Sequence, residues 1–278
     1  MSRILLTCGP WLAEAAGDLG GNLVRLEYSG RPLLRTPSQA PDPYLFGSPM
    51  LFPANRTCKG RFSFLGREYR LPINEPANQA HLHGLVHAQD FSLLGRTERE
   101  AAFLFENRSE AYPFSFRLTI TYRLSEAGLV SRYRIENTDT APFPLTFGLH
   151  TTFVEPALVS VPIKEEQEWD AHCVPSGRYL PPSGAAESLP DGICPHGVPL
   201  SGCYSAAGHT ARIGGFLYRV SENFDHWVLY NGSGLEGFFC AEPQCGAVNG
   251  LNLEGGCRIL PKGGTLEFFT ELEKSTSP

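Results

Sequence analysis

Four side chains in this 278-residue chain have the types and settings for proton chemistry. Arg56 ends Pro53-Ala54-Asn55-Arg56, and His83 stands in His81-Leu82-His83-Gly84. His150 closes Gly148-Leu149-His150, and Glu242 opens Glu242-Pro243-Gln244. A carboxylate and an imidazole can together exchange protons near pH 7 with a weakly acidic hydroxyl and a weakly basic ether oxygen. An arginine and a second histidine can hold the oxygens of whatever carries those groups.

Glu242 has the most telling local context. It follows the apolar run Phe238-Phe239-Cys240-Ala241 and precedes Pro243, which favours extended backbone in the residue before it. That predicts a glutamate at the end of a strand, partly desolvated, with its pKa raised towards the range of a useful base. Taken singly, each residue also has an ordinary reading. Glu242 could pair with an arginine, His83 and His150 could be hydrogen-bonded loop and core histidines, and Arg56 could be solvated. His81, His83 and His87 also allow a metal reading, because His-x-His on a strand puts both rings on one face. Gly84 interrupts such a strand, and the expectation is no metal.

These residues need a frame, and the frame reads as β. Residues 114–123 alternate Phe114, Phe116, Leu118, Ile120 and Tyr122 with Ser115, Arg117, Thr119, Thr121 and Arg123, a period of two over ten residues. A turn at Ser125 leads into a returning strand over residues 129–136, so an antiparallel meander is expected. Further strands are expected at residues 3–8, 22–28, 61–64, 101–106, 143–147, 209–212, 216–220, 226–231, 237–241 and 265–271. Trp11 to Ala16 reads as one turn of helix before the glycines stop it. With 29 Gly and 23 Pro spread throughout and no long helical period, the expected fold is all-β, a large antiparallel β-sandwich. It should form one domain over residues 1–278, with residues 175–199 as a long internal loop.

Composition bounds the function. The chain is 42% hydrophobic and 11% aromatic, enough for a sizeable core. Its formal charge of −6 and lack of a basic block argue against nucleic acid, and a phosphorylated ligand would need a local basic pocket. No apolar run reaches the roughly 18 residues of a membrane helix, and Gly9-Pro10 ends the first apolar stretch too early for a signal peptide. Eight scattered cysteines with no C-x-x-C pair read as buried free thiols. A cytoplasmic location is expected, with no membrane partner.

Taken in order, the motifs resemble the aldose 1-epimerase (galactose mutarotase) family, and more closely its shorter bacterial branch. Gly47-Ser48-Pro49-Met50-Leu51-Phe52-Pro53-Ala54-Asn55-Arg56 is similar to that family's G-x-P-x-L-F-P-x-x-N-R signature. Leu82-His83-Gly84 and Gly148-Leu149-His150 are similar to its two histidine motifs, and Glu242-Pro243-Gln244 with Asn249 to its glutamate motif. Leu260-Pro261 to Gly264 is similar to its closing turn. Each motif is weak alone, but five in order outweigh the ordinary readings.

The resemblance implies a supersandwich with an open groove and cofactor-free interconversion of the α and β anomers of a free aldose. It implies Glu242 as general base on the C1 hydroxyl and His150 as general acid on the ring oxygen. Arg56 and His83, with Asn55 and Gln244, would hold the sugar. The sequence departs from the family at Pro199-Leu200-Ser201-Gly202-Cys203-Tyr204, where Ser201 stands in place of a sugar-binding acid. Asp225 is the candidate to substitute for it. Thr151-Thr152-Phe153 likewise replaces the usual proline-aromatic pair. Trp169, Trp227, Phe153 and Tyr230 are candidates to stack on the sugar. The expected partner is a small-molecule aldose, with the protein a monomer or homodimer. The alternatives are a silent sugar-binding protein and a hexose-phosphate epimerase, which would set several of Arg56, Arg61, Arg67, Arg117 and Arg123 on the groove.

Overall fold

A computed structural model describes residues 3–170 and 175–276. Two large antiparallel sheets dominate it. One has eight strands in the spatial order Ser92–Arg96, Glu100–Arg108, Ser115–Leu124, Gly128–Asn137, Thr265–Lys274, Phe216–Val220, Thr210–Ile213 and Val159–Ser160. The other runs Pro175–Leu180, Ile163–Trp169, Ser201–Ala206, His226–Tyr230, Phe238–Cys245, Phe147–Leu149 and Met50–Leu51, with Thr151–Val154 also pairing Phe238–Cys245. A four-stranded meander over Arg3–Cys8, Trp11–Ala16, Asn22–Tyr28 and Arg31–Pro32 packs its apolar face into the same core.

The core forms because the strands alternate. Phe116, Leu118, Ile120, Tyr122 and Leu124 are buried on one face of Ser115–Leu124, as the period of two requires. Its other face carries Arg117 and Arg123 in ion pairs with Glu106 and Glu100. Tyr133 and Phe268 of the first sheet pack against Phe147 of the second, with ring centroids 5.7 and 4.7 Å apart. At roughly 1.5–3 kcal/mol per fully buried large apolar side chain, this shared layer is the main force holding the sheets together.

Two expectations are corrected. Trp11–Ala16 is a strand, not a helical turn. Trp11, Ala13 and Ala15 alternate into the core while both neighbouring strands pair with it, so tertiary pairing overrides the helical preference of its alanines. The stretch 175–199 is not all loop. Pro175–Leu180 forms the edge strand of the second sheet, paired with Ile163–Trp169, and only the remainder is loop around a short 3-10 turn at Gly184–Ser188. The seven described cysteines form no disulfide, and Cys8, Cys203, Cys240 and Cys245 are buried. The eighth, Cys173, lies outside the described residues. Among the described residues no helix is long and apolar enough to cross a membrane.

Candidate active site

The second sheet builds the site by using both of its faces. In Phe238–Cys245, Phe239, Ala241 and Cys245 join the core, so Cys240, Glu242 and Gln244 project from the opposite face. The strand is nonetheless buried along its whole length, because loops cover that outer face. In the neighbouring segment Phe147 and Leu149 face the core, which turns Gly148 and His150 outwards. The register sets Gly148 opposite Gln244 and Thr151 opposite Ala241, so His150 lies opposite Glu242. Pairing is continuous towards His226–Tyr230 but breaks on the other side beside Pro243, which has no N–H to offer a ladder. Glu242 therefore sits inside a strand rather than at its end.

His150 Nε2 and Glu242 Oε1 are 3.2 Å apart, and both side chains are almost fully buried. Burial pushes the Glu242 carboxyl up, to about 8, although the Gln244 amide and the Arg56 charge pull it down. Burial pushes the His150 imidazole down, to about 4. Both shifts penalise the charged forms, while mutual attraction at 3.2 Å favours them. Between those two values the pair thus holds a single proton, which burial places on Glu242.

A loop and a short two-stranded ladder supply the other wall. Arg56–Cys58 pairs with Ala80–Leu82, and His83 follows directly. Asn55 and His83 both adopt left-handed backbone conformations, with φ of 57° and 62°, and the His83 N–H donates to the Asn55 carbonyl at 2.9 Å. Non-glycine residues enter this region at a cost that surrounding structure must hold in place. Gly84 makes that turn achievable: its φ is 70°, and a Cβ there would overlap the Phe52 carbonyl. Burial, then the His150 charge, drive the His83 pKa well down, so its ring is neutral. Its Nδ1 finds no partner among the described residues. The Arg56 guanidinium is clamped by Glu75 through two 2.7 Å hydrogen bonds.

These residues line one cavity of about 230 Å3, together with Asp42, Tyr44, Leu45, Leu82, Trp169, Ser201, Gly202, Val228, Leu229 and Tyr230. Arg56, His83, Asn55, His150 and Glu242 all line this one cavity. Two others do not reach it. Gln244 is fully buried behind the cavity, where its Nε2 donates to Glu242 Oε2 at 3.1 Å and its Oε1 meets Asn55 Nδ2 at 3.5 Å. It holds Glu242 rather than facing a substrate. Asp225 is tied to His226, to the Gly246 N–H and to Arg258, and does not line the cavity. Ser201 does line it, so the wall there carries a hydroxyl instead of a carboxylate. Trp169 and Tyr230 reach the cavity, but Trp227 and Phe153 are core residues.

Sequence reasoning missed Asp42 and Tyr44. Tyr44 packs its ring 4.7 Å from both His83 and His87, and burial pushes its hydroxyl up to about 12. Nothing in the Pro- and Ser-rich stretch around it marks it as a site residue; only the folding of that loop over the sheet does. Among the described residues, the group of three ligand-type side chains close enough to share a metal is His150, Cys240 and Glu242, within 4.8 Å, not the three histidines 81, 83 and 87. Two of those three are the His150–Glu242 pair itself.

The chain belongs to the aldose 1-epimerase family, whose model matches residues 15–273. It is similar to the uncharacterized protein YihR of Escherichia coli K12, 28% identical over 185 residues covering 60% of each chain. It is also similar to human galactose mutarotase, 31% identical over 160 residues that cover 53% of this chain and 45% of that protein. The matched stretches thus span less than two thirds of these relatives. A galactose mutarotase-like protein from Clostridium acetobutylicum shares the fold with a TM-score of 0.89 at 23% identity, over 97% of this chain and 94% of its own. The galactose 1-epimerase of Lactobacillus acidophilus aligns with a TM-score of 0.75 at 15% identity, over 95% of this chain and 91% of its own.

Proposed function

We propose that this protein is an aldose 1-epimerase acting on a neutral sugar. The observation that carries the reading is the His150–Glu242 pair, 3.2 Å apart at the floor of a cavity whose wall holds Arg56 and His83. Glu242 removes the proton from the C1 hydroxyl while His150 protonates the ring oxygen, and the C1–O5 bond breaks to give the open aldehyde. Rotation about C1–C2 presents the other carbonyl face. Reclosure forms the C1–O5 bond again, Glu242 returns a proton to O1, and His150 takes one from O5. Each half of the cycle moves one proton on and one off, so the pair keeps its total of one. The reaction passes through both proton placements, and opposing burial and attraction allow both.

Charge supports a neutral substrate. Arg56 is already paired with Glu75, and Asp42 and Glu242 add carboxyl groups to the lining. Arg117 and Arg123 are engaged on the outer face of the other sheet. A phosphorylated sugar would meet more negative than positive charge here.

NMR exchange between anomeric protons, or polarimetry of freshly dissolved α-aldoses, tests the proposal. Wild type should accelerate equilibration, and Glu242→Gln should lose at least about a hundredfold of it, the scale of one proton-transfer contribution. Full activity in Glu242→Gln would overturn the assignment. Binding of aldoses without acceleration would make the protein a silent sugar binder.

A further inference from the structure

We infer that Asp42 is a substrate-binding residue, its free carboxyl oxygen accepting a hydroxyl of the sugar from the loop side of the catalytic cavity. This inference rests on the aldose 1-epimerase reading. Among the described residues lining that cavity, Asp42 and Glu242 are the two that carry carboxyl groups. Glu242 is the proposed base and takes the Gln244 amide on Oε2. The Asn55 side-chain oxygen is likewise occupied, by the Arg56 N–H at 3.0 Å. A neutral sugar presents hydroxyl donors, and a charged acceptor makes the stronger hydrogen bond with them. Asp42 is the lining carboxyl group left for that task.

The loop that carries Asp42 is built to hold its carboxyl group in place. Ala40 and Phe46, on either side, are buried with Ala16 and Val24 in a small apolar cluster. Pro41 and Pro43 flank Asp42 and fix φ on both sides, so the loop has little conformational entropy left to lose when a ligand binds. Asp42 Oδ1 accepts the Tyr44 N–H at 2.9 Å, and the Asp42 carbonyl accepts the Leu45 N–H at 3.0 Å. The Tyr44 carbonyl in turn accepts the Thr152 hydroxyl at 3.2 Å. The first of these bonds is an Asx turn; it orients the carboxyl group and leaves Oδ2 without a hydrogen-bond partner among the described residues. Ser201 and Tyr230 pair across neighbouring strands, and both line the cavity. Burial, then Cys240, Glu236 and Asp42, push the Tyr230 hydroxyl up, which puts Asp42 within electrostatic reach of that end. The loop carboxyl thus stands at the end of the cavity where Ser201 offers only a hydroxyl.

The test is a double-mutant cycle between the side chain and the sugar hydroxyls. Anomer exchange is followed by NMR on glucose, galactose and their 2-, 3-, 4- and 6-deoxy forms, for wild type and Asp42→Asn. Asparagine keeps an oxygen for the Tyr44 N–H while removing the carboxyl group, and an unchanged melting temperature checks that the loop holds. Wild type should lose about tenfold or more in kcat/KM when one particular hydroxyl is removed, the scale of a hydrogen bond to a charged group. Asp42→Asn should lose a similar factor on the parent sugar, and removing the same hydroxyl should then cost it less than about threefold. If sugars are accelerated and Asp42→Asn matches wild type, or loses the same factor on every sugar, the hydroxyl contact is overturned and the anomer chemistry stands. If no sugar is accelerated, the aldose 1-epimerase reading fails. Saturation-transfer NMR on the same sugars then decides Asp42 alone: signals in wild type that Asp42→Asn removes would support it, and signals that survive, or none at all, would overturn it.

Discussion

His150 and Glu242 face each other across two antiparallel strands, 3.2 Å apart, each at a position where its neighbours along the chain point into the core. The strand register on either side of it sets this pair.

A pair that carries one proton has a simple pH signature. A second proton adds when His150 titrates, at about 4, and the single proton leaves when Glu242 titrates, at about 8. The singly protonated pair exists between them, so kcat/KM should form a bell with limbs near those values. A profile flat from pH 4 to pH 9 would remove the pair from the mechanism.

Glu242 should burden the fold as pH rises. Its folded pKa is raised, so its contribution is fully present below the ordinary value of 4.5 and is lost as pH climbs through about 8. Glu242→Gln should therefore stabilise the protein by about 2 kcal/mol or more at pH 8 and by much less at pH 4.5. Denaturant titrations at the two pH values measure the difference, and an equal effect at both would refute the buried carboxyl.

Gln244 should act through Glu242. Its amide donates to Glu242 Oε2 and favours the carboxylate. Gln244→Leu should lower kcat by about tenfold with a smaller change in KM, and should move the alkaline limb upwards. A loss of activity with an unmoved limb would show a merely structural role.

Gly84 is where backbone space decides the fold of the histidine turn. Gly84→Ala puts a methyl into the Phe52 carbonyl at a positive φ. A loss of about 3 kcal/mol or more of unfolding free energy is expected, with His83 displaced. Chemical denaturation against wild type gives the value, and a loss below about 1 kcal/mol would mean the turn adapts.

The alternation of Phe114 to Tyr122 fixed the central meander, because period two leaves a strand only one way to bury its apolar side. The apolar run before Glu242 marks a partly desolvated carboxylate, and five ordered motifs link it to Arg56, His83 and His150. Other features were beyond local reading. Trp11–Ala16 is a strand only because two neighbours pair with it. Gln244 and Asp225 look alike in sequence, as polar residues near aromatic strands, yet one braces Glu242 and the other is spent on Arg258. Tyr44 joins the site only where its loop folds over distant parts of the sheet. Sequence specifies which face a side chain takes, since that depends on neighbours one and two residues away. What stands across from that face depends on register and loop packing between segments a hundred residues apart, and only the folded chain decides it.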